Sequence, residues 1–218
     1  MTAITQHTPD ALLAAYAAGT LPPVFALVVA THISMCAECR AAYESHQAVG
    51  GALLDSASEA TLSDGFKSNL MAQLDLPMDQ VITRPAPQPT AKAKGIYPAP
   101  LMEVLKNKPP RWRSLGLGMK QAILNADEGG SLRLLHIPPG QAVPDHGHNG
   151  MELTLVLQGS FSDETGHFAR GDLEVADEEL EHTPVADGGE VCICLAATDA
   201  PLRFNSLMPR LFQPLFRI

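Results

Sequence analysis

Two groups of side chains in this 218-residue chain have the types and spacing to hold a metal ion. The first is His32-Ile-Ser-Met-Cys36-Ala-Glu-Cys39, a CxxC with a histidine four residues before its first cysteine. On a helix, positions i and i+4 share a face, so His32 and Cys36 converge on one point. Two thiolates and an imidazole suit Zn²⁺, which takes four N or S donors in structural sites. His7, just before the first expected helix, is the natural fourth ligand; His46, seven residues past Cys39, reads instead as a solvated helix residue. The bland alternative, a surface CxxC beside unrelated histidines, is weakened by the helical spacing of His32. A closed four-ligand site leaves no position for a substrate, so its role is to hold short helices together, as in a binding module.

The second group is His146-Gly147-His148, followed three residues later by Glu152 and flanked by Gly140 and Gly159. On a strand His146 and His148 point to the same side. A turn at Asn149-Gly150 then starts a second strand, whose first residue, Glu152, faces the same cavity. His182 is taken as the fourth ligand. Three imidazoles and a carboxylate accept Zn, Fe, Mn, Ni or Cu, so the donor set does not choose among divalent transition metals. The acidic stretch 172–181 reads as a solvated loop rather than a further metal site. Cys192 and Cys194 alternate along a strand and share one face, as small fillers of a sheet wall or, alternatively, as thiols that respond to oxidants. His136 and His167 have no partner at ligand spacing and read as structural.

Helices must position the first group. Thr8-Pro9-Asp10 announces one that stops at Gly19. Apolar or helix-favouring runs at 23–35 and 36–54 give two more, and Ser63 caps a fourth carrying Phe66, Leu70, Met71 and Leu74. Six prolines between 77 and 100 mark an extended linker. Beyond Trp112, short apolar runs at 132–137, 153–157, 173–175 and 191–196 are broken by Gly, Pro and Asp, the pattern of a β-sandwich or barrel. The expectation is a two-domain α+β chain: an all-α zinc-binding domain at 1–80, a linker at 81–100 and an all-β domain at 101–218.

The net charge of -9 argues against direct binding to nucleic acid, which needs clustered Lys and Arg. The longest apolar run, 24–30, falls far short of the roughly 20 residues that span a bilayer, so no membrane association is expected. No basic-then-apolar leader opens the chain, and a cytoplasmic location is the default. In that reducing compartment four cysteines serve as ligands or redox thiols rather than disulfides.

The spacing from Gly140 to Gly159 matches the first cupin motif, GxxxxxHxHxxxExxxxxxG, without a gap. This resemblance implies a double-stranded β-helix, or jelly-roll, barrel. The second cupin motif departs from the usual form: Ala169-Arg170-Gly171 stands for its Pro-x-Gly turn, and His182 lies eleven residues beyond that glycine instead of three. The whole chain resembles the ChrR family of zinc-binding anti-sigma factors. Tyr16-Ala-Ala-Gly-Thr-Leu21, the zinc motif through Arg40, the cupin ligands and Asp177-Glu-Glu-Leu-Glu-His-Thr-Pro184 carry the likeness. It implies that His7, His32, Cys36 and Cys39 are anti-sigma zinc ligands, and that His146, His148, Glu152 and His182 hold zinc in the cupin. It also implies an extracytoplasmic-function sigma factor as partner, released under singlet-oxygen or peroxide stress. The alternative is a metal-dependent cupin enzyme, dioxygenase-like, with an accessory helical zinc domain. Open metal positions would allow such chemistry, but no general base or substrate clamp stands out.

Overall fold

The computed structural model describes residues 3–74, 92–127, 129–147, 149–200 and the backbone of 203–204. Residues 75–91, which include the first half of the expected linker at 81–100, lie outside the described residues. Helix α1 spans Asp10–Ala17, with Pro9 rather than Thr8 at its cap position and no side-chain cap. Thr8 is turned inward and buried instead. Helices α2 (Pro23–Met35) and α3 (Ala37–Asp55) meet at a 118° corner, and α4 covers Phe66–Leu74. A fifth helix, α5 (Ala99–Val104), was not expected from the sequence. Proline is tolerated in the first turn, where its missing N–H has no partner to lose, so Pro98 and Pro100 start this helix rather than prevent it.

The remaining chain is β-structure. A six-stranded antiparallel sheet has the order β1 (Arg113–Gly116), β2 (Met119–Asp127), β3 (Gly130–Ile137), β11 (Cys192–Thr198), β5 (Glu152–Gln158), β8 (Leu173–Ala176). Two three-stranded sheets accompany it: β10 (Val185–Ala186) with β6 (Ser160–Ser162) and β7 (His167–Ala169), and β12 (Arg203–Phe204) with β4 (His146–Gly147) and β9 (Glu181–His182). Gly140 and Gly159, the ends of the cupin spacing, have φ of 74° and 67°, a region that favours glycine.

Period-2 alternation divides the large sheet into two faces. Val156, Cys192, Cys194 and Ile137 pack inward with Phe161 and Phe168, whose rings stack at 4.9 Å. Leu132, Leu134, Leu153, Leu155, Leu157 and Leu195 face the other way, in one cluster with Val24, Phe25, Val28 and Val29 of α2. Helix α2 packs on α1, α3 and α5 as well as on β3, β5 and β11. It is buried from both sides, which accounts for a helix that is apolar all round. No single helix among the described residues is long and apolar enough to cross a membrane.

Leu155 is fully buried where α2 meets the sheet. Leu155→Ala is expected to cost about 2–5 kcal/mol through lost burial and a residual cavity. The check is the urea midpoint of the metal-loaded chain, which should fall with its slope unchanged.

Candidate metal centres

The CxxC lies on the corner between α2 and α3. Cys36 is extended, with φ -106° and ψ 112°, so the helix that carries His32 ends one residue earlier than helical spacing alone suggests. Cys36 thereby caps α3, its Sγ accepting the Cys39 N–H at 3.5 Å. His32 in the last turn of α2 and Cys39 in the first turn of α3 face each other, with Nε2 to Sγ 3.2 Å. His7, just before α1, places Nδ1 3.4 Å from Cys36 Sγ and 3.5 Å from Cys39 Sγ.

All four donor atoms lie within 4.8 Å of one another. Zn–S and Zn–N bonds of about 2.3 and 2.0–2.1 Å at tetrahedral angles give N···S edges of roughly 3.6 Å, close to those found. Burial pushes His32 down to about 4, which leaves its ring neutral and its lone pair available. Burial also pushes the Cys39 thiol up to about 11, against a stabilising hydrogen bond from the Thr8 backbone, and neighbouring Cys36 adds to the rise. A thiolate there needs a cation beside it. His46 is elsewhere, with Nε2 2.8 Å from Asp10, joining α3 to α1.

The second centre is assembled by pairing β4 with β9, which sets His146 directly opposite His182. Their Nε2 atoms are 3.3 Å apart. His146 Nδ1 lies 2.9 Å from the Pro144 carbonyl, an acceptor only, so Nδ1 carries the proton. His182 Nδ1 lies 2.7 Å from Asp163 Oδ2. Burial raises Asp163, yet hydrogen bonds with Glu174, Thr165 and His182 hold it well below the usual carboxylate range. That carboxylate is also an acceptor, so His182 Nδ1 donates. With both Nδ1 atoms protonated, the facing Nε2 atoms either share the extra proton of a charged His182 or, with both rings neutral, offer their lone pairs to a cation.

Burial opposes charge on His182, but contacts with Glu174 and Asp163 and the charge of Glu152 win, raising it to about 9. The same negative surroundings suit a divalent ion. Glu152 is the first residue of β5, buried, and accepts from Thr154 Oγ1 at 2.9 Å. His148 lies outside the described residues.

Asp163 and Glu174 are site residues that the sequence reading missed. The stretch 172–181, expected to be a solvated loop, is so only in its second half: Asp172 and Glu174 are buried. Burial pushes Glu174 up to about 7, and its Oε1 lies 3.2 Å from His182 Nδ1. Asp163, Glu174 and His182 form a compact donor group in their own right. His182 Nδ1 donates to Asp163 and lies beside Glu174, so these two carboxylates back the imidazole rather than form a separate site. One signal pointed to them: Glu174 sits between Leu173 and Val175 in an apolar run of strand character.

Cys192 and Cys194 are fully buried, with Sγ atoms 3.5 Å apart in the inner core. The Cys192 thiol and burial raise Cys194 far above the ordinary thiol range, which favours the wall-filler reading over a reactive thiolate. His167 pairs with Asp187 at 3.0 Å, and His136 lies edge-on to Trp112.

Residues 102–200 match the ChrR cupin-like domain family. The chain is 57% identical over 217 residues to the anti-sigma-E factor ChrR of Cereibacter sphaeroides, covering 99% of both proteins. It is also similar to a chain in the crystal structure of Rhodobacter sphaeroides SigE in complex with the anti-sigma ChrR. There the TM-score is 0.74 at 53% identity, covering 90% of this chain and all of that one. Identity of this degree along nearly the whole length, over a helical region followed by a cupin, means that the chain belongs to the ChrR family of anti-sigma factors.

Proposed function

We propose that this protein holds an extracytoplasmic-function sigma factor through its helical region and releases it under oxidative stress through its cupin. The single observation that carries the first half is the full-length relationship to an anti-sigma factor. A related protein has been solved in complex with SigE. The metal-dependent enzyme reading has no comparable support, since that relative is a regulator.

This chain has a surface that fits such a partner. Leu53, Leu54, Leu70, Met71 and Leu74 are about half to three-quarters exposed on the end of α3 and on α4. None of the described residues covers them, and exposed apolar side chains in number fit a partner's apolar surface. In this reading His7, His32, Cys36 and Cys39 hold zinc that fixes α1, α2 and α3. His146, His148, Glu152 and His182 hold a divalent transition metal in the cupin, with Asp163 and Glu174 orienting His182. A divalent ion held there would supply positive charge beside the facing imidazoles of His146 and His182.

The experiment is a binding titration of the purified chain against an extracytoplasmic-function sigma factor, paired with transcription from its promoter. Tight binding and loss of transcription are expected, and transcription unaffected by excess protein would defeat the reading. Leu54→Asp and Leu70→Asp are each expected to weaken binding by roughly tenfold or more, the loss typical of a buried apolar anchor. Both should leave metal content unchanged.

A further inference from the structure

The start of strand β8 touches both metal centres. Asp172, just before the strand, is 1% exposed. Its Oδ1 accepts the backbone N–H of Thr5 at 2.6 Å and of Gln6 at 2.9 Å, and its Oδ2 accepts that of Ala169 at 2.8 Å. The Leu173 N–H donates to the Gln6 carbonyl at 3.1 Å. The N-terminal arm is thus laid along the cupin edge, and its next residue is His7. Gly171 completes the seat. Its φ is +97°, and a Cβ there would meet Ile4 at 2.6 Å, so the arm passes where only a glycine leaves room. Two residues beyond Asp172, Glu174 stands behind His182.

Strand rise of about 3.3 Å per residue puts the Cα atoms of Asp172 and Glu174 within roughly 7 Å. Between them the backbone is pinned: Glu174 and Leu173 pair with Thr154 and Leu155 of β5. A short paired strand of this kind shifts as a unit. Movement of His182 displaces the carboxylate behind it, and a displaced β8 moves Asp172 relative to the arm. The arm is pinned on Asp172 here, and coupling between the sites requires a second, released state that faster amide exchange would report. In the released state His7 keeps its place beside Cys36 and Cys39 through the zinc alone, without the support of the arm.

We propose that Asp172 and Glu174 are positioning residues that couple the cupin metal centre to the helical zinc centre, by holding the arm that presents His7. This rests on the metal reading given under Proposed function. The test is hydrogen–deuterium exchange of residues 3–9 in the full-length, metal-loaded protein, with metal content measured on the same samples.

Asp172→Ala should speed exchange of the Thr5 and Gln6 amides at least tenfold. Glu174→Gln, at the His182 end of this segment, should speed the same amides severalfold. The double variant should exchange no faster than Asp172→Ala alone, because both act through one element. Glu152→Gln, which weakens the cupin centre from the far side, should reproduce the Glu174→Gln effect should the latter fail to fold. A wild-type protein that holds both metals, with arm exchange at the same rate in Glu174→Gln and Glu152→Gln, overturns the coupling alone. A wild-type protein that binds no metal overturns the metal reading, and the coupling with it.

Discussion

Cys36→Ser and Cys39→Ser are each expected to lower the metal content by about one ion per chain and to abolish sigma binding. A serine hydroxyl does not replace a thiolate on zinc, and at this corner the sulfurs have a second task. Cys36 Sγ caps α3, and Cys39 Sγ receives the Thr8 backbone N–H, so both thiols tie the chain before α1 to the α2–α3 corner. Structural zinc contributes on the order of 10–16 kcal/mol in zinc-finger peptides, far more than any single packing contact here. Without the ion, His7 and the arm lose their hold on the α2–α3 corner. Elemental analysis with circular dichroism on the purified variants provides the check. Unchanged stoichiometry in both would remove this centre, whatever the sigma factor does.

Much of this was legible because local pattern and tertiary role agree. The alternation in Glu152-Leu-Thr-Leu-Val-Leu marks β5, and its inward and outward residues fall as period two requires. The zinc cluster was readable because three of its ligands come from eight consecutive residues. The boundary between helices at 35–36 was legible too, but not that Cys36 itself is extended, because the spacing of His32 and Cys36 reads as one helical face. Asp163 and Glu174 were hidden for a different reason. Their meaning depends on contact with His182 in a different strand, and acidic residues before a histidine look solvated when read in isolation. Helix α2 offered the opposite clue: with apolar residues all round, it required cover on two sides, and the β-sheet supplies the second. The helical and cupin portions therefore share one core, so a division of labour between residues 1–80 and 101–218 does not make them separate in packing.

Glu152→Ala is expected to leave sigma binding close to wild type while removing the response to singlet oxygen or peroxide. Glu152 lies far in sequence from the helical zinc ligands and from the exposed side chains of α3 and α4, and its carboxylate is directed among Thr154, Arg133 and His182 inside the cupin. Its loss removes one donor and leaves His146 and His182 facing each other with less negative charge beside them. A sensor's influence equals its differential interaction with the two states it biases, and a cupin that cannot hold its metal has lost the state to be sensed. The expected signature is low sigma-dependent transcription without stress and no more than about a tenth of the wild-type induction with it. That fraction corresponds to about 1.4 kcal/mol of lost coupling, within the usual range for allosteric effects. A centre needed only for folding would behave in the opposite way, giving low protein abundance and high transcription under all conditions. Reporter transcription and protein abundance, measured together in the Glu152→Ala strain, separate these outcomes. Full induction at normal abundance would end the sensory role of this centre and leave the cupin as a scaffold for α2.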